Sequence, residues 1–128
     1  MKIDSLMPFS ARYSPELNAV ETVFSGIVNE VDIEVELRER HLISQKFETS
    51  YYLVNFTDAE IRLSITYVYN LPELCDRIAQ QRPSRIALIN SNPHNQDLVD
   101  FYQLVSQNRG WNIETFSTTQ DAERWLLA

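Results

Sequence analysis

The second half of the chain alternates between short apolar runs and stretches whose apolar residues recur at helical spacing. Tyr51-Tyr52-Leu53-Val54-Asn55-Phe56 and Arg85-Ile86-Ala87-Leu88-Ile89-Asn90 are nearly all apolar, as in central strands buried on both faces. Leu98, Phe101, Tyr102 and Val105 recur at i, i+3, i+4 and i+7, which predicts an amphipathic helix. Gly110 stands where a left-handed cap would end it. Trp111 to Phe116 reads as a last strand. Ser117 with Gln120 then resembles a capping box for a final helix carrying Ala122, Trp125 and Leu126 on one face. Pro72 is placed to start a helix running to about Gln81, with Leu74 and Ile78 on its face. Alternation of this kind predicts an α/β sheet with parallel strands and crossover helices.

The first half carries weaker signals. Phe9–Tyr13 alternates, Ser14-Pro15-Glu16 marks a turn, and the β-branched run Ala19–Ser25 stops at Gly26. Together they read as a two-stranded hairpin. Asn29–Phe47 supports two readings. Val31, Ile33, Val35 and Leu37 alternate with Asp32, Glu34 and Glu36, a strand-like period. Yet Leu37–Phe47 is full of helix formers, and Asn29 suits an N-cap. The pattern leaves both open, and Ile61–Asn70 likewise fits strand or helix.

A chain of 128 residues with 44% apolar and 11% aromatic side chains has material for one domain with a packed core. Residues 1–7 read as a loose N-terminal extension of that single domain. Eighteen acidic against eleven basic side chains leave a net charge of −7, which repels phosphate backbones and anionic lipid surfaces. Nucleic acid is therefore a poor partner, and a basic or neutral protein a better one. Cys75 is the single cysteine, so neither an internal disulfide nor a cysteine-built zinc site is expected; it reads as a small buried apolar residue. No apolar run reaches the length of a membrane span, and the expected location is the cytoplasm.

The search for chemistry is mostly exclusion. Two glycines, Gly26 and Gly110, cannot build a phosphate-cradling loop. His41 and His94 stand alone, and no metal or cofactor is expected. Ser91, His94 and Asp97 follow a strand's carboxyl end and invite a nucleophile–base–orienter reading. They are also ordinary loop and helix-cap residues, and that reading is preferred. Glu34–Arg40 reads as a water-facing helix surface with pairs such as Glu36–Arg40. Trp111 fits either a packed or a partly exposed position, and Tyr13, Tyr67 and Tyr69 form either core or a surface aromatic patch.

The stretch Phe101-Tyr102-Gln103-Leu104-Val105-Ser106-Gln107-Asn108-Arg109-Gly110, then Phe116 and Ala122-Glu123-Arg124-Trp125-Leu126, resembles the end of bacterial STAS-like domains of the STAS/SEC14 type. Ser25-Gly26-Ile27-Val28-Asn29 matches the turn before that family's first helix, and Ala59-Glu60 and Tyr69-Asn70-Leu71-Pro72 fall where it has similar phrases. The resemblance runs from about Phe9 to Leu127. It implies that Glu30–Phe47 is a helix. It also implies a fold like the anti-sigma-factor antagonists, a mixed sheet of about five strands with helices mainly on one face.

In those antagonists a serine after a central strand is phosphorylated. The matching loop here, taken as Asn55–Ala59, contains none, and Thr57 offers the nearby hydroxyl. The expectation is a non-catalytic protein-interaction or regulatory module, with a protein partner, a homodimer or both. Its binding surface is placed at Asn55, Thr57, Asp58, Ser91 and His94. The alternative, by analogy with lipid carriers, is a small apolar ligand in a pocket beneath Ile61–Leu74.

Overall fold

The computed structural model describes residues 7–79 and 81–128; the loose extension expected at 1–7 falls, apart from Met7, outside them. The elements run β1 (Phe9–Ser14), β2 (Ala19–Val28), α1 (Glu30–Phe47), β3 (Tyr51–Ile61), α2 (Ile65–Ile78), β4 (Arg85–Ile89), a 3-10 turn (Pro93–Asn95), α3 (Gln96–Asn108), β5 (Ile113–Phe116) and α4 (Thr119–Leu127). They form one mixed sheet in the order β1-β2-β3-β4-β5. β1 and β2 make the expected antiparallel hairpin, and every other pairing is parallel.

This order decides where the helices go. From β2 to β5 each strand is laid down on the same side of the last, and each crossover is right-handed by the usual twist of strand and helix. The three connecting helices must then share one face. There Ile33 and Leu37 of α1, Leu71 and Cys75 of α2 and Val99 of α3 pack on Val20, Phe24, Val54, Ile86 and Leu88. α4 folds back across the other face, where Ala122 and Leu126 meet Leu53, Ala87 and Ile89. Helices mainly on one face is therefore the observed arrangement.

α1 settles the ambiguous stretch as helix. Asn29 caps it, accepting from the Asp32 amide at 3.1 Å while its own amide donates to the Asp32 carboxylate at 2.9 Å. Two amides at the helix start thus gain partners, which a strand would not provide. The alternating pattern has a consequence in this setting: Ile33 and Leu37 turn to the sheet, while Val31 and Val35 lie on the opposite, exposed face.

Several boundaries differ from expectation. β2 does not stop at Gly26 but runs through it to Val28, past a register shift between Val23 and Ser25; Gly26 takes φ +75°, open to glycine at little cost. α2 starts seven residues before Pro72, which lies buried inside the helix, because Ser64 supplies the N-cap. α4 is capped by Thr118 rather than Ser117, through the Asp121 amide at 3.2 Å. Trp111 is buried, with the Arg82 guanidinium 5.4 Å above its ring. The tyrosines make no common patch: Tyr13 stacks on Phe47, the last residue of α1, and Tyr67 donates to the carbonyl of Glu30, the first.

Candidate functional site

The sequence places its candidate surface in loops after the central strands, and the structure redraws that end of the sheet. β3 is eleven residues long and β4 five. Their pairing ends at Asn55 with Ile89, so Phe56–Ile61 has β2 on one side and, among the described residues, no strand on the other. Thr57 and Asp58 are therefore strand residues, not loop residues. The exposed ladder groups on that side need partners. Asn95, fully buried, supplies them: its side-chain amide donates to the carbonyls of Phe56 (3.1 Å) and Ala59 (2.9 Å), and its oxygen accepts from the Ile61 amide (3.0 Å). Asn92 adds a donor to Ala59 at 3.0 Å. The asparagine-rich segment after β4 acts as a substitute strand edge.

Three of the five expected binding residues come together. The Ser91 amide donates to the Thr57 hydroxyl at 3.2 Å, and the Thr57 amide to the Asn55 side chain at 2.9 Å. Asp58 and His94 are exposed, and neither side chain bonds to another described residue. No hydrogen bond links the side chains of Ser91, His94 and Asp97 among the described residues.

The true connection after β3 is Arg62–Ser64. The Arg62 amide donates to the Val28 carbonyl at 2.8 Å, and the Ser64 hydroxyl accepts from the Tyr67 amide at 3.1 Å. With the Tyr67–Glu30 bond at 3.2 Å, these contacts draw the carboxyl ends of β2 and β3 to the starts of α1 and α2. Ser64 is exposed there. So are three large apolar side chains, Ile27, Val31 and Ile65, at 53%, 69% and 67%. Sequence reasoning missed Ser64 because it ended β3 five residues early; the N-cap pattern of a serine three residues before Tyr67 was the available signal. Among the described residues the sequential strand order has no reversal point, the place where doubly wound sheets form their ligand crevice.

Glu36 and Arg40 are not water-facing. They are 0% and 8% exposed, on the sheet side of α1. Arg40 clasps the Glu36 carboxylate through two bonds of 2.5 and 2.8 Å, the Thr22 hydroxyl donates to the same carboxylate at 2.9 Å, and the guanidinium lies 5.3 Å from the Tyr52 ring centre. Burial works against the charge on Arg40, but Glu36 more than offsets it and raises its pKa. Beside the pair, Cys75 Sγ lies 4.0 Å from the Tyr102 hydroxyl. Burial pushes the thiol up to about 11 from 9.0 and the Tyr102 phenol well above 10.0. Both groups hold their protons more tightly folded than unfolded. The stabilisation is thus complete below about pH 9 and is lost as pH rises through the folded thiol value near 11. Urea melts should show stability falling between about pH 9 and about pH 11, with a shallower fall in Cys75→Ala; a flat profile would contradict this assignment.

The apolar pocket expected beneath Ile61–Leu74 shrinks to a cavity of about 40 Å³ between α1, α2 and α3. That is room for a few waters at most, against the roughly 300 Å³ or more of ordinary ligand pockets. The large side chains Phe56, Leu63, Leu71 and Tyr102 line it, and the apolar residues of this stretch are spent on the core. An open, polar groove of about 1010 Å³ lies instead at the amino ends of β3 and β4, among His41, Glu48, Ser50, Arg82 and Ser84. Among the described residues no cluster of three or more His, Cys, Asp or Glu is placed to hold a metal ion, and no helix is long and apolar enough to cross a membrane.

No family model matches the chain, and no curated protein does. Among solved structures it is similar to an uncharacterized protein of the DUF3478 family with a SpoIIAA-like fold, from Shewanella loihica PV-4. The TM-score is 0.59 at 15% identity, over 92% of this chain and 91% of that one. The likeness shows a SpoIIAA-like fold, in agreement with the resemblance to STAS-like domains.

Proposed function

We propose that this chain is a non-catalytic regulatory module that binds another protein through the carboxyl end of β3, with Ser64 as a phosphate acceptor controlling the contact. We further take it to act in the cytoplasm. The observation that carries this reading is the position of Ser64: exposed, directly after the central strand, and flanked by Ile27, Val31 and Ile65. Fold likeness alone does not assign a function. A hydroxyl on a rigid helix cap beside exposed apolar side chains is a site where one added group changes a binding surface.

The physical effect of phosphate there is specific. The helix start already favours negative charge, so a phosphoryl group at the cap leaves α2 folded. What changes is the surface, where about two negative charges appear beside three apolar side chains. A partner that buries those side chains would have to desolvate the phosphate. Modification is therefore expected to release the partner.

Substitution separates the cap from the switch. Ser64→Ala removes the cap and is expected to cost about 1 kcal/mol of stability while leaving partner binding intact. Ser64→Asp keeps a capping oxygen and adds charge; it is expected to fold normally and to weaken partner binding by about tenfold or more, or roughly 1.4 kcal/mol. Affinity purification from the native host with each variant measures both. Equal partner recovery from Ser64→Ala and Ser64→Asp would sink the switch.

A further inference from the structure

We propose that the outer face of α1 is a second docking surface, and that its occupant is a basic amphipathic helix of another protein. The inference starts from the alternating pattern of the sequence. Folded as a helix, that pattern gives α1 two apolar faces. The inner one packs on the sheet through Ile33 and Leu37. The outer one carries Val31, Val35 and Leu42, which are 69%, 40% and 61% exposed.

These three positions fall at i, i+4 and i+11, with Arg38 at i+7. The 4-3-4 spacing keeps them in one stripe along the helix, as in the contact seam of paired helices. Among the described residues none of the three belongs to a core cluster. Valine is a poorer helix former than the Glu, Lys or Ala that a solvated face would take. An apolar stripe on a helix face is a recognised mode of helix docking.

Charge selects the occupant. At about 100° per residue, Glu34 flanks the stripe on one side and Glu39 on the other. Arg38, within it, is already tied to Glu34 at 3.0 Å. Leaving out the buried pair, α1 carries Glu30, Asp32, Glu34 and Glu39 against Arg38 and Lys46. A second copy would bring the same acidic flanks and a net charge of −7 against its like. A helix with Lys or Arg beside its apolar residues complements both stripe and flanks, and the field of the whole chain steers it in.

The inference does not depend on Ser64; because Val31 borders both surfaces, its test rests on Val35 and Leu42, further along α1. The full chain would be titrated, by two-dimensional amide NMR, with a designed leucine–lysine amphipathic helix. A scrambled peptide of the same composition serves as control. The amphipathic peptide should shift the amides around Val31, Val35 and Leu42, and the scrambled one should bind about tenfold or more weakly. Val35→Glu with Leu42→Glu should lose about tenfold in affinity at an unchanged or raised melting temperature, whereas Ser64→Asp, whose added carboxylate does not repel a cationic helix, should not weaken it. Equal binding of the two peptides, or shifts confined to other elements, would overturn the proposal. So would a wild-type dimer, seen in sedimentation, that Val35→Glu with Leu42→Glu makes monomeric; the occupant would then be a second copy.

Discussion

Replacing Arg40 by methionine should destabilise the fold by about 3–5 kcal/mol, the cost of leaving a buried charge without its partner. The Glu36 carboxylate would keep the Thr22 hydroxyl but lose both bonds to the guanidinium. At zero exposure it has no water to turn to. Glu36→Leu alone strands the opposite charge and is expected to cost a similar amount. The double substitution removes both charges from an apolar setting bounded by Leu37, Phe56 and Leu88. It should recover most of the loss, because a buried pair is often worth no more than the apolar residues that replace it. Denaturant melts of the two single variants and the double give the coupling directly. Single losses below about 1 kcal/mol would mean that the pair is solvated, as the surface pairs Arg38–Glu34 and Arg62–Glu60 are.

The second large effect belongs to Asn95. Asn95→Ala removes the side chain that closes the free edge of β3 and leaves the Ile61 amide and the carbonyls of Phe56 and Ala59 short of partners. With about 1–3 kcal/mol for each buried group left unsatisfied, and some relief from Asn92, a loss of about 3 kcal/mol is expected. Asn95→Asp is the sharper variant. It keeps an acceptor for the Ile61 amide but turns a carboxylate towards two carbonyl oxygens, so it should be at least as damaging as alanine. Amide hydrogen exchange should quicken most at Ile61. Uniform exchange across β3 would indicate that Asn95 acts through general packing instead.

These two residues also mark how far the sequence could be read. The buried strands β3 and β4, the amphipathic α3 and the glycine-ended turn at Gly110 were legible because each rests on local periodicity or one special backbone angle. Glu36 and Arg40 were not, since an i, i+4 acid–base pair looks the same on a solvated face as on a buried one. Only the tertiary position of α1 decides which it is, and that position follows from the crossover rule rather than from the pair. The end of β3 was hidden for a related reason. Thr57, Asp58 and Glu60 are polar because that part of the strand has one neighbour and an open face, so it lacks the apolar run that marks its first half. Asn95 stands where asparagine ordinarily serves a turn or a helix cap. Its partner atoms are 34 to 39 positions away in sequence, beyond any local pattern. The misplaced end of β3 carried the candidate site with it. The serine sought at Asn55–Ala59 was missed at Ser64, and Pro72, a good helix-start residue in isolation, drew attention from the cap that starts α2.

The proposed function turns on whether another protein sits against the carboxyl end of β3. A photo-crosslinking residue in place of Ile65, expressed in the native host, tests this directly, with the same residue at exposed Asn112, at the opposite end of the sheet, as control. A regulatory interaction module predicts a discrete protein adduct from Ile65, none from Asn112, and a weaker adduct when Ser64→Asp is present. No adduct from Ile65 under illumination that crosslinks a known complex would contradict the account, as would equal adducts from both positions.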